Sequence, residues 1–148
     1  MASIEQIKKL REETGVSIIE CQKALEESAG DFERAKKILS DWGRELAAKR
    51  ADKETGQGIV DVYVHPNRKV GVILDLRCES DFVARSSEFI GLAHELCLQI
   101  AAMSPKKENL LSQPWIKDYS KTIEVLINEQ VAKLGEKIVI RNFKRYSL

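Results

Sequence analysis

Two histidines, three cysteines and eight glycines are the material from which a catalytic or metal site would have to be built. His65 lies in a His-Pro-Asn turn and His94 stands beside Ala93 and Glu95 in a helical stretch, so neither has a partner at metal-binding spacing. Cys21, Cys78 and Cys97 form no Cys-x-x-Cys pair and are odd in number. They read as small buried side chains in a reducing compartment, not as a disulfide framework. No G-x-x-x-x-G-K-[ST] phosphate loop, G-x-G-x-x-G turn or G-x-S-x-G elbow occurs. Covalent catalysis needs at least one group placed and tuned for reaction, and none stands above the background. The expectation is a protein that is not an enzyme, with no catalytic residue, no cofactor and no metal of its own.

Two other features ask for a partner. Wound at about 100° per residue, the stretch 18–28 puts Ile18, Cys21, Ala24, Leu25 and Ser28 in one arc facing the core. Ile19 falls on the other side, near Gln22 and Lys23. A lone exposed isoleucine is ordinary, but one at the start of a helix in a recognition module is a candidate contact. The second feature is the run Cys78-Glu79-Ser80-Asp81-Phe82-Val83-Ala84-Arg85-Ser86. It reads as a loop between a strand and a capped helix. Either Phe82 tucks under that helix and joins the core, or the loop presents Phe82 as a wedge with Asp81 beside it. The residues alone favour the first.

The elements that must position these residues are legible in the patterning. Ser3-Ile4-Glu5-Gln6 is a capping box, in which a hydroxyl and an amide three residues apart satisfy free backbone N–H groups. Ile4, Ile7 and Leu10 follow at helical spacing, and Thr14-Gly15 ends the helix. Ser17-Ile18-Ile19-Glu20 starts a second helix, and Gly30-Asp31 separates it from a third with the stripe Phe32, Ala35, Ile38, Leu39, Trp42 and Leu46. Three short helices within residues 1–45 resemble the ubiquitin-associated fold, a module that grips other proteins. Residues 46–57 read as a helical extension and linker. Ile59–Val64 and Arg68–Cys78 then alternate as strands about the turn His65-Pro66-Asn67, with Val70, Val72, Leu74, Leu76 and Cys78 on one face. Helices follow over about Ser86–Met103 and Ser120–Leu134, and Lys137–Tyr146 reads as a third strand. The fold class is α+β: a three-helix module over 1–45, the linker, and a core subdomain over 58–148 whose three-stranded antiparallel sheet packs with helices.

Composition narrows the class further. Hydrophobic residues make up 43% of the 148 and charged residues 32%, as in a globular protein. No apolar run approaches the roughly 18–20 residues of a membrane helix. The start, Met1-Ala2-Ser3-Ile4-Glu5, lacks a basic region followed by an apolar one, so a cytoplasmic location is expected. The net charge of +1 gives no long-range pull toward nucleic acid or anionic lipid.

Several of these stretches resemble elongation factor Ts. One signature is Leu10-Arg11-Glu12-Glu13-Thr14-Gly15 followed by Cys21-Gln22-Lys23-Ala24-Leu25. The other is Cys78-Glu79-Ser80-Asp81-Phe82-Val83-Ala84-Arg85. Arg68–Val72 and Gly135–Arg141 are also similar to the family. The resemblance implies a guanine nucleotide exchange factor for elongation factor Tu, binding its GDP-bound and nucleotide-free forms. Arg11, Ile18, Ile19 and Lys23 fall where the family contacts the nucleotide-binding domain of that partner. Asp81, Phe82 and Val83 fall where the family inserts into the same domain, and with Ser80 they are implied to dislodge its Mg²⁺.

Departures from the family are also plain. Ser80 stands where a threonine is usual, a change expected to matter little. Many members carry a second core subdomain, a coiled coil and a C-terminal module. Here only Lys106–Gln113 separates Pro105 from Pro114, and only Ser147-Leu148 follows the last predicted strand. Short members pair, so a homodimer through the core is expected, which would also cover an exposed sheet edge. Two other readings remain. One is an RNA- or ribosome-associated protein using Lys49, Arg50, Lys53, Arg68, Lys69, Arg141, Lys144 and Arg145, against which the neutral balance and the lack of an aromatic stacking motif weigh. The other is an adaptor gripping its partner through residues 1–45 alone.

Overall fold

The first helix is set by its cap. The Ser3 hydroxyl accepts the Gln6 N–H at 3.2 Å while the Gln6 side chain accepts the Ser3 N–H at 3.2 Å, and α1 runs Ile4–Thr14. The structure, a computed structural model, describes residues 2–148; Met1, where the N-terminal reading begins, lies outside them. Gly15 closes α1 with a left-handed φ of 70° that a side chain would resist. Ser17 caps α2 (Ile18–Glu27), and Asp31 caps α3 (Phe32–Lys49) by accepting the Arg34 N–H at 3.2 Å. Leu10, Val16, Cys21, Ala24, Leu25, Ala35 and Leu39 are the buried centre of this part.

Ile18 does not join that centre as its place on the α2 arc predicted; it is 50% exposed. Val16, from the loop before the helix, is buried there instead.

The strands follow the period-two pattern with shifted ends. Strands β1 (Gln57–Val64) and β2 (Val70–Cys78) form an antiparallel hairpin, and β5 (Val139–Ser147) pairs antiparallel with the other edge of β2. The sheet order is therefore β1-β2-β5. The second strand starts at Val70, not Arg68, because Arg68 takes φ 61° in a turn closed by the His65 N–H to Val70 carbonyl bond. The last strand starts at Val139, not Lys137, because the Lys137 N–H is taken by a Glu79 carboxylate oxygen at 2.6 Å.

Val72, Leu74, Leu76 and Cys78 face inward against the long helix α5 (Ser87–Met103) and against α6 (Ile123–Leu134). Between β2 and α5 lies the short helix α4 (Asp81–Ala84). The stretch read as the start of the last helix, Ser120–Thr122, is in fact strand β4 (Asp118–Thr122), paired with β3 (Pro114–Trp115). Thr122 caps α6 by accepting the Val125 N–H at 3.2 Å, so the helix begins only after it. A buried glutamine explains why this small hairpin stays put. Gln99 donates to Gln113 Oε1 and the Pro114 carbonyl and accepts the Ile116 N–H, which leaves no buried polar atom of its side chain unpaired.

The three cysteines are buried and unpaired. Burial pushes the Cys97 thiol up to about 12 and, with the Glu136 charge nearby, the Cys78 thiol up to about 11.

Helix α3 links the two parts. Ala35 and Leu39 belong to the N-terminal cluster, whereas Leu46 and Ala47 pack on the sheet's core. Gly43, between them, lies against α6; a Cβ there would stand 2.6 Å from the Asn128 carbonyl oxygen and 3.0 Å from Ala132 Cβ. Gly43→Ala should therefore destabilise the protein by about 1–3 kcal/mol through overpacking. Helix propensity alone would have it stabilise by about 0.5–1 kcal/mol. Urea denaturation of the two proteins distinguishes the signs, and a gain in stability would show that the α3–α6 crossing is not tight.

Candidate partner-binding site

The geometry around Phe82 follows from two serines. At the end of β2 the buried Cys78 is followed by Glu79, and Ser80 caps α4 by accepting the Val83 N–H at 3.2 Å. Ser86 caps α5 by accepting the Phe89 N–H at 3.2 Å, and its hydroxyl donates back to the Val83 carbonyl at 2.7 Å. The backbone between the two caps is thus one tight helical turn instead of an open loop. Successive residues of such a turn point about 100° apart. Val83 and Ala84 point into the core, with Val83 only 5% exposed. Phe82 points away and is 87% exposed, so it does not tuck under the following helix. Asp81 is exposed beside it and holds Arg85 at 2.8 Å. An ion pair this open is worth about 0–1 kcal/mol, so Asp81 can exchange it for a partner's group at little cost.

Carboxylates hold this turn from below. Glu136 Oε1 accepts the backbone N–H groups of Glu79 (3.1 Å) and Ser80 (2.9 Å), and Oε2 accepts the Ser80 hydroxyl at 2.6 Å. Glu79 in turn accepts Arg50 through Nε at 2.7 Å and Nη2 at 2.6 Å, a two-pronged contact. The Arg50 guanidinium, together with the Lys137 N–H, holds the Glu79 carboxyl down at about 2, so the pair stays ionised far below neutral pH. The Lys137 ammonium meets the Ala51 carbonyl.

The second patch lies on the first two helices. Arg11, Ile18, Ile19 and Lys23 are all exposed, Ile19 at 64%. Lys23 has only a loose contact with Glu20, at 3.4 Å. Two apolar and two cationic side chains therefore stand open on α1 and α2. Of the sequence-selected residues, Val83 is set in the core and Ser80 is half-buried beneath the turn; the others reach solvent.

Arg50 and Arg145, named for phosphate contact in the alternative reading, are engaged by the fold. Arg50 grips Glu79, and Arg145 donates twice to the Ala101 carbonyl at 3.1 Å. His65 and His94 both meet the Tyr63 ring edge-on, at centroid distances of 6.3 and 6.4 Å. Sequence reasoning missed Glu79 and Glu136 as supports. Glu136 is 56 residues from Ser80, and no local pattern joins them.

A family model described as Elongation factor TS matches residues 4–107 and again 79–148. The chain is 36% identical over 192 aligned positions to Elongation factor Ts of Coprothermobacter proteolyticus, covering 99% of this chain and 98% of that one. It is 37% identical over 192 positions to Elongation factor Ts of Thermoanaerobacter sp., covering 99% and 94%. For that of Thermotoga neapolitana the figures are 38% over 190 positions, 99% and 96%. These alignments are longer than the 148-residue chain while spanning nearly all of it, so the relatives carry internal sequence with no counterpart here. The chain belongs to the elongation factor Ts family.

Proposed function

We propose that the chain is a guanine nucleotide exchange factor for elongation factor Tu in translation elongation, binding that protein in its GDP-bound and nucleotide-free forms. Phe82 is the observation that carries the reading: a large apolar ring, 87% exposed, on a turn whose neighbours Val83 and Ala84 are buried. An aromatic held out in water by a fixed backbone has surface to bury against a partner. The relatives' name supports the part in translation elongation.

The division of labour follows. Residues 1–45 form the docking module, with Arg11, Ile18, Ile19 and Lys23 on the nucleotide-binding domain of the partner. Residues 46–57 connect it to the core, 58–148, which carries the wedge. Asp81 and Phe82 make the insertion, while Ser80 and Val83 act from beneath by capping and anchoring the turn. Mg²⁺ in a nucleotide site bridges phosphates and protein oxygens, so moving the partner's ligands loosens GDP without entering the guanine pocket. Factor and GDP then weaken each other by the same factor, and GTP can displace the factor. No covalent step is involved, and the compartment proposed is the cytoplasm. No helix among the described residues is long and apolar enough to cross a membrane.

A homodimer is also proposed. Val60, Val62 and Val64 of β1 and Ile73 of β2 are exposed, and Val62 pairs with Ile73 in the register. They make an apolar stripe on the outer face of the sheet, which a second copy would cover. Sedimentation at tens of micromolar should give the dimer mass, and Val62→Lys should give the monomer. A parent that sediments only as monomer removes this part of the proposal.

Release of a fluorescent GDP from elongation factor Tu tests the main reading. The parent should accelerate release. Burial of a phenylalanine is worth about 1.5–3 kcal/mol, so Phe82→Ala should reduce the acceleration by about 10- to 100-fold. Because Phe82 makes no core contact, the same variant should unfold within about 0.5 kcal/mol of the parent. Equal acceleration by both proteins would discard Phe82 as the agent. No acceleration by the folded parent would discard the exchange reading, and salt-dependent RNA binding would be measured next.

A further inference from the structure

Three chain segments far apart in sequence end at one point. They are Arg50-Ala51 after α3, Glu79-Ser80 after β2, and Glu136-Lys137 after α6. Each supplies what another lacks. Glu136 offers two oxygens to three donors on Glu79 and Ser80, Glu79 offers its own to Arg50 and the Lys137 N–H, and the Lys137 ammonium closes the ring on Ala51.

The turn above needs this support. Helix α4 has 4 residues, a single turn, and a single turn does not sustain itself in water. Phe82 contributes no burial to hold it. Ser80 is the middle link, because its hydroxyl donates to Glu136 while accepting the Val83 N–H. A carboxylate at position 136 therefore fixes the cap that fixes the turn. Arg50 adds a second constraint. Its planar fork matches the Glu79 carboxylate in one orientation, and it sits at the end of the helix that carries the N-terminal cluster.

We infer that Glu136 and Glu79, with Arg50, are positioning residues for nucleotide exchange: they clamp the Asp81–Ala84 turn so that Phe82 enters the partner at a fixed distance and angle from the docking patch on α1 and α2. The inference rests on the exchange function proposed above and adds the residues that aim the wedge. A misplacement of about 1 Å can cost on the order of 100-fold in a positioned reaction, so loosening the clamp should lower the rate of release without weakening docking.

Two measurements on Glu136→Ala test it. In the isolated protein, amide hydrogen exchange at Ala84 and Arg85, whose N–H groups close α4 onto the Ser80 and Asp81 carbonyls, should speed up by about tenfold or more. With elongation factor Tu, the maximal rate of fluorescent GDP release should fall about tenfold while the half-saturating concentration stays within about twofold. Glu136→Gln keeps an oxygen for the two backbone N–H groups and should recover most of both. If Glu136→Ala does not fold, Ser80→Ala is read in the same way. Unchanged amide exchange would overturn the clamp. So would faster amide exchange with an undiminished release rate. A rate and a half-saturating concentration that worsen together, with no recovery in Glu136→Gln, would make Glu136 merely structural. If the parent itself releases no GDP, the exchange function falls and the clamp's part in it falls too. An active parent matched by an equally active Glu136→Ala sinks the clamp alone.

Discussion

A phenylalanine held out in water has nothing of its own to keep it there. Burial ordinarily fixes an aromatic side chain, and Phe82 has almost none. Its position must therefore come from the backbone beneath it, and that backbone is one turn of helix, too short to persist alone. The rest of the site is a response to this constraint. Val83 and Ala84 anchor the turn in the core, Ser80 and Ser86 cap the segments on either side, and Glu136 holds Ser80. The charged groups are partly buried but fully partnered, so desolvation is offset by several short, charge-assisted hydrogen bonds.

A second constraint is size. Three helices over the first 45 or so residues enclose a core that is marginal by itself. Helix α3 relieves this by continuing to Lys49, so that one rigid rod belongs to both hydrophobic clusters. Its crossing with α6 is possible at that distance only because residue 43 is glycine. Ala132 of α6, which meets Gly43 at this crossing, also belongs to the N-terminal cluster. The patch on α1 and α2 is thus tied to the sheet through packed helices, so that it shares one frame with the turn that carries Phe82.

Much of the fold was legible along the chain. Capping boxes, stripes at helical spacing and a run of alternating β-branched residues are local signals, and they marked the three opening helices, the hairpin, the long helix and the returning strand. The signals failed where a competing contact decided the outcome. Ser120–Thr122 reads as the lead-in to the helix whose apolar stripe starts at Ile123, yet it pairs as a strand, because Gln99 pins the adjoining hairpin and Thr122 caps the helix late. The last strand lost its first two residues to a hydrogen bond from Lys137 to Glu79. Ile18 sat on the right arc but at the helix's first turn, where Val16 fills the core.

The site divides in the same way. Residue types and order by themselves marked Ile19, Asp81 and Phe82 as worth attention and carried the resemblance to elongation factor Ts, which in turn implied Arg11, Ile18 and Lys23, since motifs are carried by adjacent residues. The residues alone favoured Phe82 tucked under the following helix, whereas it points out into solvent, because one residue's rotation about a four-residue turn changes the answer. Tertiary structure decided it through groups remote in sequence, with Glu136 and Arg50 meeting Glu79 and Ser80 at one point. The physical reason is one of range. Helix and strand periodicity are short-range consequences of backbone geometry, whereas a half-buried carboxylate finds its donors only once the chain has folded around it.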